Sequence, residues 1–334
     1  MKTAIAILNW NGKKLLQQFL PSVVQYSQEA QIYVIDNAST DDSVTFLKEN
    51  YPNVQIIRNK ENYGFSKGYN EGIKQINTDI ICLLNSDVEV TENWIKPIEK
   101  LFKNDQTISV IQPKILDFKK KTHFEYAGAA GGFLDSLGYP FCRGRIFNTV
   151  EEDFGQYDNE TEIFWASGAA FFIRKEKYDE MGGLDEDYFA HQEEIDLCWR
   201  LKNKGNKIYY THRSVVYHLG GATLFNTNPR KTFLNFRNSL FNLLKNLPLK
   251  EVVFKIFIRL CLDGLAGFKF LFQGQLNHVF AILKAHFSFY RFLFKTYKKR
   301  TDCHQLTYFL FSDWIVWEYF VKKKKKFSEI VYKK

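Results

Sequence analysis

Cysteine is scarce in this chain of 334 residues, and the five present, at positions 82, 142, 198, 261 and 303, are odd in number with no C-x-x-C spacing. Neither a disulfide framework nor a zinc knuckle is indicated, and the expected compartment is a reducing one, the cytoplasm. Long apolar runs are missing too: nothing reaches the roughly 18 residues expected of a membrane-spanning helix. The opening Met1-Lys2-Thr3 passes at once into Ala4-Ile5-Ala6-Ile7-Leu8, too short and too soon polar for a signal peptide, and reads as a first strand. Acidic residues run short at one end only. Residues 230–334 hold 6 Asp and Glu against 21 Lys and Arg, a net +15, whereas residues 1–229 hold 31 against 25, a net −6. An acidic body with a basic tail region calls for a polyanionic partner of the tail, a membrane or a nucleic acid. With 45% apolar residues the chain is globular, and its length suits one large domain or two ordinary ones.

Apolar runs at 4–8, 32–35, 54–57 and 80–84 alternate with helix-compatible stretches, the pattern of βαβ units and a parallel sheet. Each run ends in a polar cluster: Asn9-Trp10-Asn11-Gly12, Asp36-Asn37-Ala38-Ser39-Thr40-Asp41-Asp42, Arg58-Asn59 and Asn85-Ser86-Asp87. Ligands of such sheets bind just beyond the carboxyl ends of the strands, so these clusters line one edge together. Asp87 is a lone carboxylate after a fully apolar strand. A hard divalent cation on a diphosphate wants one or two carboxylates and otherwise keeps water and phosphate oxygens. The same Asn-Ser-Asp is also ordinary turn and N-cap chemistry. Ser39 or Thr40 before Asp41-Asp42 makes a good helix start, whereas Asp36, at the strand end itself, is harder to explain that way.

Glycines at 64, 68 and 72 fall on one helical face, where the missing side chain lets a ligand or a packed backbone come close; this is no G-x-G-x-x-G fingerprint. Small residues flanked by aromatics, Ala127-Gly128-Ala129-Ala130-Gly131-Gly132 and Phe164-Trp165-Ala166-Ser167-Gly168-Ala169-Ala170, suit a pocket wall. Glu193, Glu194 and Asp196 open a helix that continues through Leu197 and Leu201 toward Gly205. Three acids there suit the helix dipole, yet Glu193 and Glu194 point in different directions, so one can be structural while the other reaches a cleft. A strand pair, 207–210 and 215–217, leads to His218-Leu219-Gly220-Gly221, which makes His218 a candidate for metal or phosphate contact.

Taken together the segments Ile7 to Gly12, Val34 to Asp41, Asn62 to Asn70, Leu84-Asn85-Ser86-Asp87, Ser167-Gly168-Ala169-Ala170, Glu193 to Arg200 and Val216-Tyr217-His218 make the chain resemble family 2 glycosyltransferases of the GT-A fold, among them the bacterial rhamnosyltransferase-like members. The likeness covers roughly residues 3 to 245. It implies an α/β class with a Rossmann-like mixed sheet and, by residue, the following roles. Asp36 would hydrogen-bond the nucleobase, with Asn9 completing that pocket and Asn70 also on the donor side. Asn85-Ser86-Asp87 stands where the family keeps its D-x-D, so Asp87 would bind Mg²⁺ or Mn²⁺ on the nucleoside-diphosphate sugar, and His218 matches a position that supplies a metal ligand in some members. Glu194 matches the base that deprotonates the acceptor hydroxyl, with Glu193 as its rival. Asn85 replaces the usual first Asp, and Glu194 the more usual Asp. The Q-x-x-R-W element of processive synthases is absent, which disfavours a polymerase.

The implied activity is an inverting transfer to a glycan or lipid-linked glycan in cell-surface polysaccharide synthesis. Two other readings stay open: a metal-dependent nucleotidyltransferase, for which Asn9-Trp10-Asn11-Gly12-Lys13-Lys14 is a faint phosphate loop, and a non-catalytic glycan-binding protein that keeps the fold. The expected domains are a catalytic one at 1–228, with a nucleotide-sugar half at about 1–110 and an acceptor half at about 111–228, and a basic, Phe-rich helical region at 229–334. In that region Lys255, Arg259 and Asp263, then Lys284, Ser288, Arg291, Lys295 and Lys298, recur at helical spacing among Phe, Leu and Ile. Such amphipathic helices lie on a membrane or pack on the domain or a second subunit. Lys322 to Lys326 and Lys333-Lys334 add attraction to anionic lipid, so attachment to the inner face of the plasma membrane is expected, and nucleic acid is not.

Overall fold

The structure is a computed structural model that describes residues 1–220, 228–300, 310–311 and 313–330. The first half runs β1 (Thr3–Asn9), α1 (Lys13–Tyr26), β2 (Gln31–Asp36), α2 (Ser43–Asn50), β3 (Gln55–Arg58), α3 (Gly64–Ile73), β4 (Ile80–Leu84), β5 (Val88–Val90), α4 (Lys96–Asn104) and β6 (Ile108–Asp117). Short strands follow, β7 (Gly132–Asp135), β8 (Pro140–Cys142), β9 (Arg145–Ile146), β10 (Thr149–Val150) and β11 (Thr161–Ile163). Then come β12 (Ala170–Arg174), α5 (Lys175–Glu180), α6 (Glu193–Asn203) and β13 (Lys207–His218). The chain closes with α7 (Pro229–Asn246), α8 (Leu249–Phe272), α9 (Leu276–Arg291), α10 (Leu293–Tyr297), β14 (Leu310–Phe311) and α11 (Ile315–Phe320).

A central sheet of nine strands has the order β11-β13-β6-β12-β4-β1-β2-β3, with β5 paired to β13 off that path, and β10-β9-β8-β7-β14 form a second sheet. β4, β1, β2 and β3 are parallel, and β12 enters antiparallel between β4 and β6, so the sheet is mixed. The apolar runs are explained by burial on both faces: Ile81 and Leu83 of β4 sit in one core, while Ile80, Cys82 and Leu84 sit in the other. Because β4, β1 and β2 are neighbours in register, Asn85, Asn9 and Asp36 emerge side by side at one edge.

Where a strand pair at 207–217 is expected, β13 is one strand. It pairs with β6 from Lys207 to His218 through a bulge between Thr211 and Val215, where the buried Ser214 hydroxyl donates to the Trp94 carbonyl at 2.6 Å. The polar residues that look like a turn in sequence are that bulge, and the strand carries on to the functional edge.

The glycine face of α3 is closed by packing. A Cβ on Gly68 would lie 3.0 Å from Leu8 Cδ1 and Asn37 Nδ2, and one on Gly72 only 2.4 Å from Ile35 Cδ1, so the helix rests directly on the sheet.

Beyond residue 228, α7 is buried along most of its length, and α8 and α9 pack against it. Arg259 and Asp263, the polar positions that recur at helical spacing in the sequence, are buried: Arg259 donates to the Leu137 carbonyl and the Ser239 hydroxyl, each at 2.9 Å, and Asp263 meets His286 at 3.0 Å. Burial without these partners would be costly, so the charges fix which side of α8 faces inward. Of the lysine run at 322–326, Lys322 and Lys324 are both held by Glu318 at 2.6 Å; Cys303, Lys333 and Lys334 lie outside the described residues.

Two glycine substitutions should separate packing from propensity. Gly264→Ala, in α8 with nothing within 4 Å of the new methyl, should stabilise the protein by up to about 1 kcal/mol in chemical denaturation, the ordinary helix gain. Gly72→Ala should instead destabilise it by about 1–3 kcal/mol through overpacking against Ile35.

Candidate functional site

At the first strand end the polar cluster is pre-organised. Ser39 Oγ accepts from Asn9 Nδ2 at 3.1 Å and from the Asn11 amide at 2.9 Å, while Asp36 Oδ2 accepts from the Ser39 amide at 3.2 Å and lies 3.9 Å from Arg58 Nε. Asn11 and Ala38 hold left-handed backbone there, at φ 51° and 59°. Asn9 Oδ1 is buried with no hydrogen-bond partner. Trp10 stands beside this pocket 55% exposed. Asn70 is placed elsewhere: it donates to the Leu184 carbonyl at 2.8 Å and accepts from Tyr178 Oη at 2.6 Å and the Leu184 amide at 3.0 Å, which ties α3 to the segment before α6.

The second station forms where β4 ends and β13 arrives. Antiparallel pairing of β5 with β13 sets His218 opposite Val88, and the Leu219 amide donates to the Asp87 carbonyl at 3.0 Å. His218 Nε2 then lies 3.1 Å from Asp87 Oδ1 and 3.5 Å from Asn85 Nδ2, and its Nδ1 lies 3.4 Å from Glu125 Oε1. Burial opposes charge on His218, but the Glu125 and Asp87 carboxylates outweigh it and raise the imidazole to about 10. Burial likewise pushes Asp87 up, and the hydrogen bond and charge of His218 hold it below its ordinary value. Glu125 was not expected from sequence. A tight reversal after β6 delivers it, its amide donating to the Ile115 carbonyl at 3.0 Å, and an isolated acid between Phe124 and Tyr126 leaves no signal in sequence.

Among the described residues no three His, Cys, Asp or Glu side chains are grouped to hold a metal ion alone. The Asp87 and His218 pair nevertheless fits two neighbouring positions of an octahedral ion, whose adjacent ligands at about 2.1 Å lie about 3.0 Å apart. Binding there would displace the proton of His218.

The third station is the start of α6. Phe189, His191 and Gln192, just before it, all hold left-handed backbone at φ 65°, 69° and 69°, conformations that cost of order 1–3 kcal/mol each and persist only when their surroundings impose them. The surroundings are α7. Asn238 Nδ2 reaches the carbonyls of Tyr188, Ala190 and His191 at 3.2, 3.0 and 2.7 Å, Arg237 donates to those of Asp187 and Tyr188, and Gln192 bonds the Asn235 carbonyl at 3.1 Å. Asp196, one turn on, is fully buried against Arg200 and Lys245, each at 2.8 Å, and Asn246 at 3.0 Å. Burial alone would raise its carboxyl; those charges hold it well below the usual range.

Glu193 is buried and Glu194 partly exposed, and one oxygen of each has no partner. Burial raises both, Glu193 well above the ordinary carboxylate range and Glu194 to about 7, where backbone hydrogen bonds including that of Gly168 oppose the rise. Cys142 is buried beside Arg145, whose Nη2 lies 3.4 Å from its Sγ. Burial raises its thiol to about 11, opposed by Arg145 and reinforced by the charges of both Glu125 and Glu194. Arg145 donates from Nε to the Tyr126 carbonyl at 2.8 Å and stands over the Tyr126 ring.

The family model of glycosyl transferase family 2 matches residues 4–182, more than half of the chain. The chain belongs to this family. The family-2 chain is 25% identical over 228 residues to an N-acetylglucosaminyl-diphospho-decaprenol L-rhamnosyltransferase of Mycobacterium tuberculosis, covering 62% of the one and 73% of the other. Among solved structures it is similar to GalNAc-T7 crystallised with UDP, GalNAc and Mn²⁺, with a TM-score of 0.57 and 17% identity over 73% of this chain and only 47% of that one. It is also similar to the Pyrobaculum calidifontis mannosyltransferase PcManGT in complex with GDP-Man and Mn²⁺, with a TM-score of 0.54 and 12% identity over 86% and 87%. The fold of this family-2 glycosyltransferase is GT-A, with a helical C-terminal region.

Asn238→Ala would leave the Ala190 and His191 carbonyls of the strained loop without their side-chain donor. It should lower stability by about 1–3 kcal/mol and reduce kcat for sugar transfer while leaving the donor KM unchanged, read by denaturation and steady-state kinetics.

Proposed function

We propose that the chain is an inverting glycosyltransferase that moves a hexose, with rhamnose the first candidate, from a nucleoside diphosphate to a hydroxyl of a glycan or lipid-linked glycan acceptor. The Mycobacterium relative, by name a rhamnosyltransferase acting on a decaprenol-linked sugar, supports the choice of sugar and of a lipid-linked acceptor. The observation that carries the reading is the pairing of Asp87 with His218 at 3.1 Å at the carboxyl edge of the sheet, in a chain that belongs to glycosyl transferase family 2.

In this reading Asp36, Asn9 and the backbone at 38–39 take the nucleoside, the free acceptor of Asn9 receiving a donor from it. Asp87 and His218 would hold Mg²⁺ or Mn²⁺, which when bound neutralises charge on the departing diphosphate. Asn85 adds no charge there. Glu194 takes the proton from the acceptor hydroxyl as its oxygen bonds to the anomeric carbon and the bond from that carbon to the diphosphate breaks. Partial exposure favours Glu194 over the buried Glu193 as the group that meets the acceptor. In the same reading the protein works from the cytoplasm on a lipid-linked acceptor, attached peripherally to the anionic inner face of the plasma membrane.

Glu194→Gln should cut transfer by about 10²- to 10⁴-fold, the usual worth of a general base, with donor affinity by calorimetry unchanged; near-normal turnover would remove Glu194 from the role, and parallel loss only in Glu193→Gln would pass the role to its neighbour. A carboxylate base works only when ionised, so kcat should be full well above the raised value of about 7 and fall about tenfold per pH unit below it. For Asp87→Asn, thermal-shift stabilisation by nucleotide sugars should lose its dependence on Mn²⁺. Undiminished metal dependence would count against the metal role.

A further inference from the structure

α8 is inside out. Its buried face carries Arg259, lying over the Tyr139 ring at 3.7 Å, and Asp263, paired with His286, while its outward face is a ridge of large apolar side chains. Val253 is 76% exposed and Phe272 88%. α9 lies beside it with Ala281 and Ala285 turned inward and Phe280 and Phe287 outward, the latter 72% exposed. Soluble proteins rarely leave contiguous apolar patches larger than a few hundred Å², so a face running along two helices is a contact surface. Its rim has one sign. From Gly264 to Arg300 the sequence contains no Asp or Glu and seven Lys or Arg, of which Lys269, Lys284, Arg291 and Lys298 are exposed and not among those paired with Asp185 and Asp187. The amphipathic aromatics Tyr290, Tyr297, Trp314 and Trp317 are exposed as well, the residue types that favour a bilayer interface. Among the described residues no helix is long and apolar enough to cross a membrane.

We infer that the outward face of α8 and α9 lies in the headgroup region of an anionic bilayer, with Phe257, Phe268, Phe280 and Phe287 buried among acyl chains and the rim cations on lipid phosphates. This rests on the membrane attachment proposed above and names the surface that makes it. A second copy of the chain fits less well, because a two-fold contact would set the same cations against each other. The lipid-facing side is the broad apolar one, and the polar residues at 259 and 263 hold the helix to the body.

The test is co-sedimentation of the full chain with vesicles of phosphatidylcholine containing phosphatidylglycerol, at low and high salt, for the wild type and the double variant Phe257→Asp/Phe287→Asp. Both sites are exposed, so circular dichroism and nucleotide-sugar thermal shift should show the variant folded. The variant should lose at least about tenfold in partitioning, and wild-type binding should weaken with salt. Cys261 lies on this face while Cys82, Cys142 and Cys198 are buried, so in a Cys303→Ser background a fluorophore on Cys261 should be quenched by a lipid-borne quencher. If the wild type stays in solution with these vesicles at low salt, membrane attachment and its surface both fail. If the wild type binds and the variant binds equally, or if the label is shielded only by dimerisation without lipid, the surface assignment alone is overturned. Transfer to a water-soluble acceptor analogue by the double variant reports on catalysis separately.

Discussion

A carboxylate with no access to water must be matched by charge and hydrogen bonds, or the element carrying it does not pack. Asp196 is that group. Arg200, Lys245 and Asn246 all bond to it, Arg200 continues to the Met181 and Gly183 carbonyls at 2.7 and 2.8 Å, and Lys245 continues to Asp185 at 2.6 Å. One side chain thus fastens the first turn of α6, the helix α7 and the segment between 181 and 187 to each other. Glu193 and Glu194 precede it by less than one turn, so their direction is inherited from this anchor, and the left-handed backbone at 189, 191 and 192 is tolerable because α7 is held in place to grip it. Breaking such a pair from one side leaves an unmatched buried charge, which is why the arrangement behaves as a unit.

The parallel core was legible because burial on both faces writes itself as unbroken apolar runs, and the polar clusters at strand ends followed from where those runs stop. Asn85, Asp87, Asn9 and Asp36 could be named that way. β13 was harder to read: a bulge puts polar residues inside a strand, and sequence periodicity cannot tell this from a turn. Glu125 left no pattern at all, since a hairpin after β6 brings it to His218 and no local spacing records that contact. The acids at the head of α6 looked like helix-dipole chemistry, whereas Asp196 works through side chains fifty residues away in sequence.

Charge counting misled in a specific way. It separates an acidic body from a basic tail as if both were solvated. In the folded chain Lys245, Lys295 and Lys299 of the tail neutralise Asp185, Asp187 and Asp196 of the body, and Arg237 and Arg259 point inward to carbonyl groups. Part of the charge asymmetry is therefore the stitching between two segments. A similar redistribution marks the neighbourhood of His218. The neutral Asn85 is followed by Asp87 and faced by Glu125 from another loop, so the imidazole still meets two carboxylates, although only one belongs to the strand-end motif.

The outward ridge of α8 gives the molecule an exterior with the composition of an interior. Away from any apolar phase, such a surface makes the protein colloidally restless: at rising concentration its copies find each other, whatever the affinity of the catalytic site. Salt, which thins the repulsion between the cationic rims, should hasten that self-association. With the ridge uncovered, the fraction of the enzyme that stays dispersed would depend less on the stability of its fold than on its concentration.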